Sequence, residues 1–172
     1  MAAATGYTIR RARPAELDQL PAIEHAAAAQ FRTTVFAALA DAPLSTEELD
    51  PAHDHIWVAV DSTDAPVGFA LVHRLATVAH LHELDVHPAH ARRGLGGLLI
   101  ETVADWAKGE GLRAITLTTF RDIPWNGPYY ARIGFRPLAA GELSAELRAI
   151  SAAEAVAGLP VAGRVCMRRD LG

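Results

Sequence analysis

The sequence predicts an α/β fold of the α+β kind, a central mixed sheet, mostly antiparallel, with helices on both faces. Three observations carry this. Residues 79–119 read as strand, helix, strand, and such a unit needs a crossover that leaves its two strands parallel. The flanking segments read as strands joined by short turns, which pair antiparallel. Apolar residues recur at helical spacing in two stretches, Leu17, Leu20, Ile23, Ala27, Phe31 and Leu95, Leu98, Leu99, Val103, Trp106, Ala107, and each stretch offers a face to a sheet.

Tyr7 to Arg11 is a short strand. Pro14 opens a helical stretch, where proline is tolerated and where Glu16 and Asp18 suit the positive end. Pro21 falls inside the pattern, so the helix either starts late or kinks there. A second helical piece covers Thr33 to Ala40, and a polar loop passes through Pro43 and Pro51. His55 to Asp61 is a strand, Ser62 to Pro66 a turn, and Val67 to Arg74 the returning strand. Ala79 to His87 alternates as a third strand, which Pro88 stops. Gly94 opens the long helix, and Gly109 and Gly111 close it. Leu112 to Thr119 is a strand, residues around Tyr129 to Ile133 a short helix, and Phe135 begins another strand. A helix-like insertion from Gly141 to Ala157 precedes the last strand, Arg164 to Arg169.

The 172 residues fit a single domain, 1–172, with an insertion at 139–163. Hydrophobic residues at 51% and charged ones at 21% exclude a disordered or collagen-like chain. A net charge of -4 gives no electrostatic case for nucleic acid or an anionic membrane. One cysteine, Cys166, excludes an internal disulfide and a cysteine-based zinc cluster; it reads as a structural thiol. Apolar runs such as Val35 to Ala40 are far too short to span a bilayer. The start, Met1 to Thr5, lacks the layout of a signal peptide. The expectation is a cytoplasmic domain that binds no nucleic acid, membrane or metal.

The informative segment is His90-Ala91-Arg92-Arg93-Gly94-Leu95-Gly96-Gly97, between a strand and an amphipathic helix. Glycines let the backbone approach a ligand, and the first helical N–H groups lack internal partners. With the helix dipole they favour a phosphate, and Arg92 and Arg93 add positive charge. No lysine follows, which excludes a nucleoside-triphosphate loop. The third glycine of a dinucleotide fingerprint would fall at Leu99, which excludes that pattern too. A tight turn without a ligand is the alternative.

Arg92-Arg93-Gly94-Leu95-Gly96-Gly97 after Asp85-Val86-His87-Pro88 resembles the acyl-CoA loop of the GCN5-related N-acetyltransferase (GNAT) family, whose pattern is [QR]-x-x-G-x-[GA]. The window 91–96 matches except at Ala91, where the family has Gln or Arg. Tyr130-Ala131-Arg132-Ile133-Gly134-Phe135 resembles the family's Tyr-x-x-x-Gly-Phe. The two motifs stand in the family's order, and the resemblance covers residues 5 to 138 and the last strand. It implies a GNAT-like fold with a splayed parallel strand pair, and acetyl-CoA as cosubstrate. It implies that the main chain of Leu84 and Val86 holds the pantetheine arm, that the amides of Arg92, Arg93, Gly94, Leu95, Gly96 and Gly97 hold the pyrophosphate, and that Asn126 lies near the cofactor. By the same resemblance Tyr130 protonates the departing thiolate.

Acetyl transfer to an amine also needs a base. The third strand offers His80, His82, Glu83 and Asp85. Strict alternation groups His80, His82, Leu84 and Val86 against Leu81, Glu83, Asp85 and His87, and a bulge would swap the faces beyond it. His80-Leu81-His82-x-Leu84-x-Val86-His87 is similar to the corresponding strand of arylalkylamine N-acetyltransferases, where two histidines at these positions relay a proton through water. His82 is therefore expected as principal base, His80 as its partner and Glu83 as the next candidate. Histidines on a solvated face, a surface carboxylate at Glu83 and a core ring at Tyr130 are the structural alternatives. Glu16, Asp18, Glu24 and Glu47 lie where the family's acceptor cleft is flanked. The leading expectation is an N-acetyltransferase for a primary amine of a small molecule, by direct attack in a ternary complex. An acetyltransferase for protein N-termini or lysines, and a non-catalytic acyl-CoA-binding sensor, are the alternatives. A homodimer is expected, with the strand-rich tail offering an edge for pairing.

Overall fold

The computed structural model describes residues 5–41, 49 and 54–172; Pro43, Glu47 and Pro51 lie outside the described residues. Among the described residues, strands β1 (Thr8–Arg11), β2 (Asp54–Val60), β3 (Pro66–Arg74), β4 (Ala79–Val86), β5 (Ala114–Phe120), β6 (Arg136–Pro137) and β7 (Arg164–Asp170) form one sheet. Its order is β1-β2-β3-β4-β5-β7-β6. Every neighbouring pair is antiparallel except β4 with β5. The α-helices are α1 (Leu20–Ala28), α2 (Leu95–Gly109), α3 (Gly127–Arg132) and α4 (Ala145–Val156). Helix α2 makes the crossover between the parallel strands.

Alternation along the strands divides the core in two. On one face Trp57, Ala70, Val72, Leu81, Ile115, Leu117 and Met167 pack with Leu99, Ile100 and Val103 of α2, and Tyr130 and Phe135 join them. On the other, Ile56, Val58, Phe69 and Leu71 pack with Leu20 and Ile23 of α1. The second face is the α1 face below.

Two local departures from the sequence expectation have physical causes. Pro14–Gln19 is a 3-10 turn, and α1 starts only at Leu20. Pro21 thus sits in the first turn of α1, where a missing N–H leaves no helical bond unmade. The helix expected over Thr33 to Ala40 is replaced by two 3-10 segments, Ala29–Thr33 and Ala37–Asp41. Between them Thr34 is extended; its hydroxyl donates to Phe31 O at 2.8 Å and accepts from Phe36 N at 3.0 Å. These side-chain bonds compete with the helical ladder.

Two features of the sheet position the site. Leu71 of β3 lies opposite Glu83, but its neighbour Val72 lies opposite Leu81, so His82 is an extra residue, a β-bulge. And β4 pairs with β5 only through Ala79, His80 and Leu81, opposite Ile115, Thr116 and Leu117. Past Leu117 the two strands part, and β4 runs on to Val86 without β5 beside it.

Helix α3 then enters through Gly127, where the main chain lies against Arg121. A Cβ there would collide with the Arg121 carbonyl oxygen and would stand 3.0 Å from its carbon. That contact is with backbone and cannot swing aside. Gly127→Ala is therefore expected to lower the unfolding free energy by about 1–3 kcal/mol, read as a lower urea midpoint at unchanged m-value.

Candidate active site

The bulge at His82 decides which side chains meet. Leu84 and Val86 join Leu81 in packing toward α2. Glu83 and Asp85, opposite Leu71 and Phe69, are turned to the α1 face with His80. There Glu24 of α1, 7% exposed, completes a group of three carboxylates whose oxygens lie within 4.8 Å of one another. Burial raises the Asp85 carboxyl well above the usual carboxylate range, and the charges of Glu83 and Glu24 push it the same way. Full ionisation of the cluster is thereby disfavoured. Tyr130, brought in by α3, has its hydroxyl held protonated by burial first and then by the negative charges of Glu83 and Asp85. Its ring packs edge-on to Phe135 at 5.5 Å.

The histidines sit deeper than alternation suggested. His80 is 1% exposed, and its Nδ1 lies 3.1 Å from the hydroxyl of Thr116 on β5. Burial, with the charges of its neighbours, lowers its pKa to about 3. As the expected partner in a water-borne relay it has no open path to solvent. His82 stacks on His73 at 4.6 Å, and His73 Nε2 is 3.1 Å from Asp54 Oδ1. Burial lowers the His82 pKa to about 4, His73 adding to the shift while Asp54 and Glu24 oppose it. His82 is neutral at physiological pH and a weak proton acceptor.

The loop Pro88–Gly97 forms the cradle the sequence suggested. A 3-10 turn over Pro88–His90 leads to Arg92 at φ +60° and Gly94 at φ +79°, the N-cap of α2. The second angle is one that glycine adopts without strain. The first α-helical bond runs from Leu98 N to Gly94 O at 3.1 Å, so the amides of Leu95, Gly96 and Gly97 have no helical acceptor. A Cβ on Gly96 would stand 3.1 Å from Tyr129 Oη and 3.8 Å from Leu84 Cδ2. The bare glycine thus keeps open the space between the helix start, β4 and α3. Tyr7 of the N-terminal segment latches the loop through a 2.8 Å contact from its hydroxyl to His90 Nδ1. Arg92 and Arg93 are exposed at the rim. This donor set fits a diphosphate, and the unpaired edge of β4 around Leu84 and Val86 fits an amide-bearing arm. Asn126 is the N-cap of α3: its carbonyl accepts from Tyr130 N at 2.9 Å, while its side chain makes no capping bond.

Of the described acidic residues expected near the acceptor cleft, Glu16, Asp18 and Glu24, only Glu24 reaches the carboxylate group. Glu16 is held by Arg10 at 2.6 and 2.9 Å, and Asp18 is exposed. The insertion folds back over the α1 face: Ser144 caps α4 by accepting from Leu147 N at 3.2 Å. Together with β5 and β7 it borders an open pocket of about 260 Å³. Sequence reasoning missed the Asp54–His73 pair, although the hairpin turn at 61–65 sets the register that places these two opposite each other. It offered Asp85 on the same face as Glu83 but gave it no role, since the approach of Glu24 that groups the three carboxylates is a tertiary contact.

The chain belongs to the acetyltransferase (GNAT) family, whose profile matches residues 20–135. It is accordingly an acetyl-CoA-dependent acyltransferase. Solved structures share the fold at low identity. The PaiA N-acetyltransferase of Thermoplasma acidophilum, solved in complex with coenzyme A, superposes with a TM-score of 0.73 at 14% identity, over 96% of this chain and 99% of that one. The ribosomal-protein-S18-alanine N-acetyltransferase of Escherichia coli gives 0.67 at 16% identity, over 96% and 94%. The N-acetylglutamate synthase of Neisseria gonorrhoeae, complexed with coenzyme A and N-acetyl-glutamate, gives 0.69 at 16%, over 96% of this chain and 35% of that one. Among the described residues no helix is long and apolar enough to cross a membrane.

The depressed pKa of His82 has a measurable consequence. Between pH 6.5 and about 4 the unfolded chain binds a proton at this residue that the folded chain refuses. Stability from this source is complete above pH 6.5 and is lost as the pH falls toward 4, by roughly 3 kcal/mol in all. Urea titrations at pH 7 and pH 4.5 should show a smaller loss for His82→Asn than for the parent protein.

Proposed function

We propose that the protein is an N-acetyltransferase that moves the acetyl group of acetyl-CoA to a primary amine of a small molecule by direct attack. The observation that carries this is the group formed by Glu24, Glu83 and Asp85 beside the parting of β4 and β5. Amines are cationic at neutral pH, and three carboxylates in a buried cleft attract a cation and can then take its proton.

In this reading the main chain of Leu84 and Val86 and the amides of Arg92, Arg93, Gly94, Leu95, Gly96 and Gly97 hold the cosubstrate. Bound there, the thioester supplies an acyl group already activated for attack, so positioning and proton transfer suffice. Glu83 and Asp85 act as one coupled base: with the Asp85 carboxyl raised, the pair accepts the amine's proton through Glu83. Tyr130, kept protonated by the same carboxylates, gives its proton to the sulfur as the carbon–sulfur bond breaks. The base thus moves from the histidines expected in the sequence to the carboxylates beside them. His82, neutral and stacked on His73, walls the cleft and orients water. Cys166 is unsuited to a covalent step, since it is 8% exposed and burial pushes its thiol up to about 11.

Mixing the protein with acetyl-CoA and a panel of small primary amines should release coenzyme A thiol in an amine-dependent way. Tyr130→Phe and Glu83→Gln should each lower kcat by about a hundredfold or more, while calorimetry shows coenzyme A still bound. Binding of coenzyme A with no turnover of any amine or peptide would instead favour a sensor module.

A further inference from the structure

We infer that Tyr129 is a further cosubstrate-binding residue, its hydroxyl completing the donor set that takes the diphosphate of acetyl-CoA. This role rests on the reading that places the diphosphate at the start of α2, and is independent of which amine is acetylated.

Helix α3 carries two phenols in succession, Tyr129 and Tyr130. Neighbouring helical residues point about 100° apart, so the two reach different parts of the cleft. Tyr130 feels the charges of Glu83 and Asp85 on β4. Tyr129 reaches the start of α2, where its Oη lies 3.1 Å from the position a Cβ would take on Gly96. Covalent geometry then puts that oxygen within about 6 Å of the Gly96 nitrogen. Two hydrogen bonds of about 2.9 Å each bridge such a gap through one acceptor oxygen, and more easily through two oxygens of one phosphate. Leu84 borders the same point, its Cδ2 3.8 Å from that Cβ position. The hydroxyl thus lies between the helix start and the strand that takes the amide-bearing arm.

These donors find no acceptor among the described residues. The amides of Leu95, Gly96 and Gly97 precede the first helical bond, which Leu98 N makes to Gly94 O. The Tyr129 hydroxyl makes no hydrogen bond with any described residue. Its ring is nonetheless held before any ligand arrives. It packs with the core under α2, stands edge-on to Tyr130 at 5.3 Å, and has the Arg132 guanidinium carbon 6.0 Å from its centre. Little ordering is left for the ligand to impose, which favours binding. Burial raises the pKa of the phenol, against the charge of Arg132, so it is a donor at neutral pH. A hydroxyl donating to an ionised phosphate oxygen makes a short, charge-assisted bond. An alanine at position 96 would crowd the phenol oxygen, whereas glycine leaves it in place.

Tyr129→Phe keeps the ring and removes only the donor. Calorimetry with coenzyme A should show Kd raised by about tenfold or more, the yield of a hydrogen bond to a charged group. KM for acetyl-CoA should rise with it while kcat stays at the parent value, a split that a loss of packing around Tyr130 would not give. Inorganic pyrophosphate, as an inhibitor competing with acetyl-CoA, separates the diphosphate from the arm, and its Ki should rise by a similar factor. An unchanged Kd, or a fall in kcat with Kd intact, overturns the role of Tyr129. So does weaker binding of coenzyme A with the pyrophosphate Ki unchanged, which would put the hydroxyl on the arm. Failure of pyrophosphate to compete in the parent protein overturns the placement of the diphosphate itself, and the role of Tyr129 with it. If no amine is turned over, calorimetry of coenzyme A and pyrophosphate on the two proteins decides in the same terms.

Discussion

Strand β4 carries His82 as an extra residue against β3, and the rest of the site depends on that main-chain mismatch. Without it Glu83 and Asp85 would share the face of Leu81 and be pressed into the apolar core under α2. With it, Leu84 and Val86 take the apolar side and the two carboxylates turn toward Glu24. A bulge also bends the strand that bears it. Here β4 leaves β5 immediately before the extra residue, after Leu81 and Leu117. Main-chain groups on that side then have no strand to bond, and such groups must find another partner. An extended ligand rich in amides is one that can complete the sheet.

The same local geometry sets the proton inventory of the cleft. Three carboxylates crowded together oppose one another's ionisation, and burial with the charges of Glu83 and Glu24 raises the Asp85 carboxyl well above the usual range. Their field reaches Tyr130 and makes its proton hard to remove in the resting protein, which suits a group that must still hold it when a thiolate needs it. Burial works oppositely on the bases and strips His80 and His82 of charge. Carboxylates whose charge is mutually opposed thus share strand β4 with two neutral imidazoles.

Much of this was legible in the chain itself. Each strand of the sheet, the crossover helix and the glycine cradle follow from periodicity, turn residues and the run Arg92–Gly97. Two classes of feature were not. Short segments governed by side-chain bonds to the main chain, as at Thr34, defeat a helical pattern without altering its spacing. Contacts between distant elements were the other: Glu24 of α1 meets Glu83 and Asp85 across more than fifty residues, and a one-residue register shift decides whether they meet at all. Histidine-rich spacing drew attention to His80 and His82, while the bond from His80 to Thr116 is a tertiary fact that no spacing announces.

Cys166 lies beneath α4, with its thiol 8% exposed as a residue and pushed by burial up to about 11. Being the protein's single cysteine, it leaves the native molecule with no sulfhydryl that reacts readily near neutrality. A chromogenic disulfide added to a running reaction would therefore colour in proportion to the coenzyme liberated, with the catalyst itself contributing almost nothing to the signal.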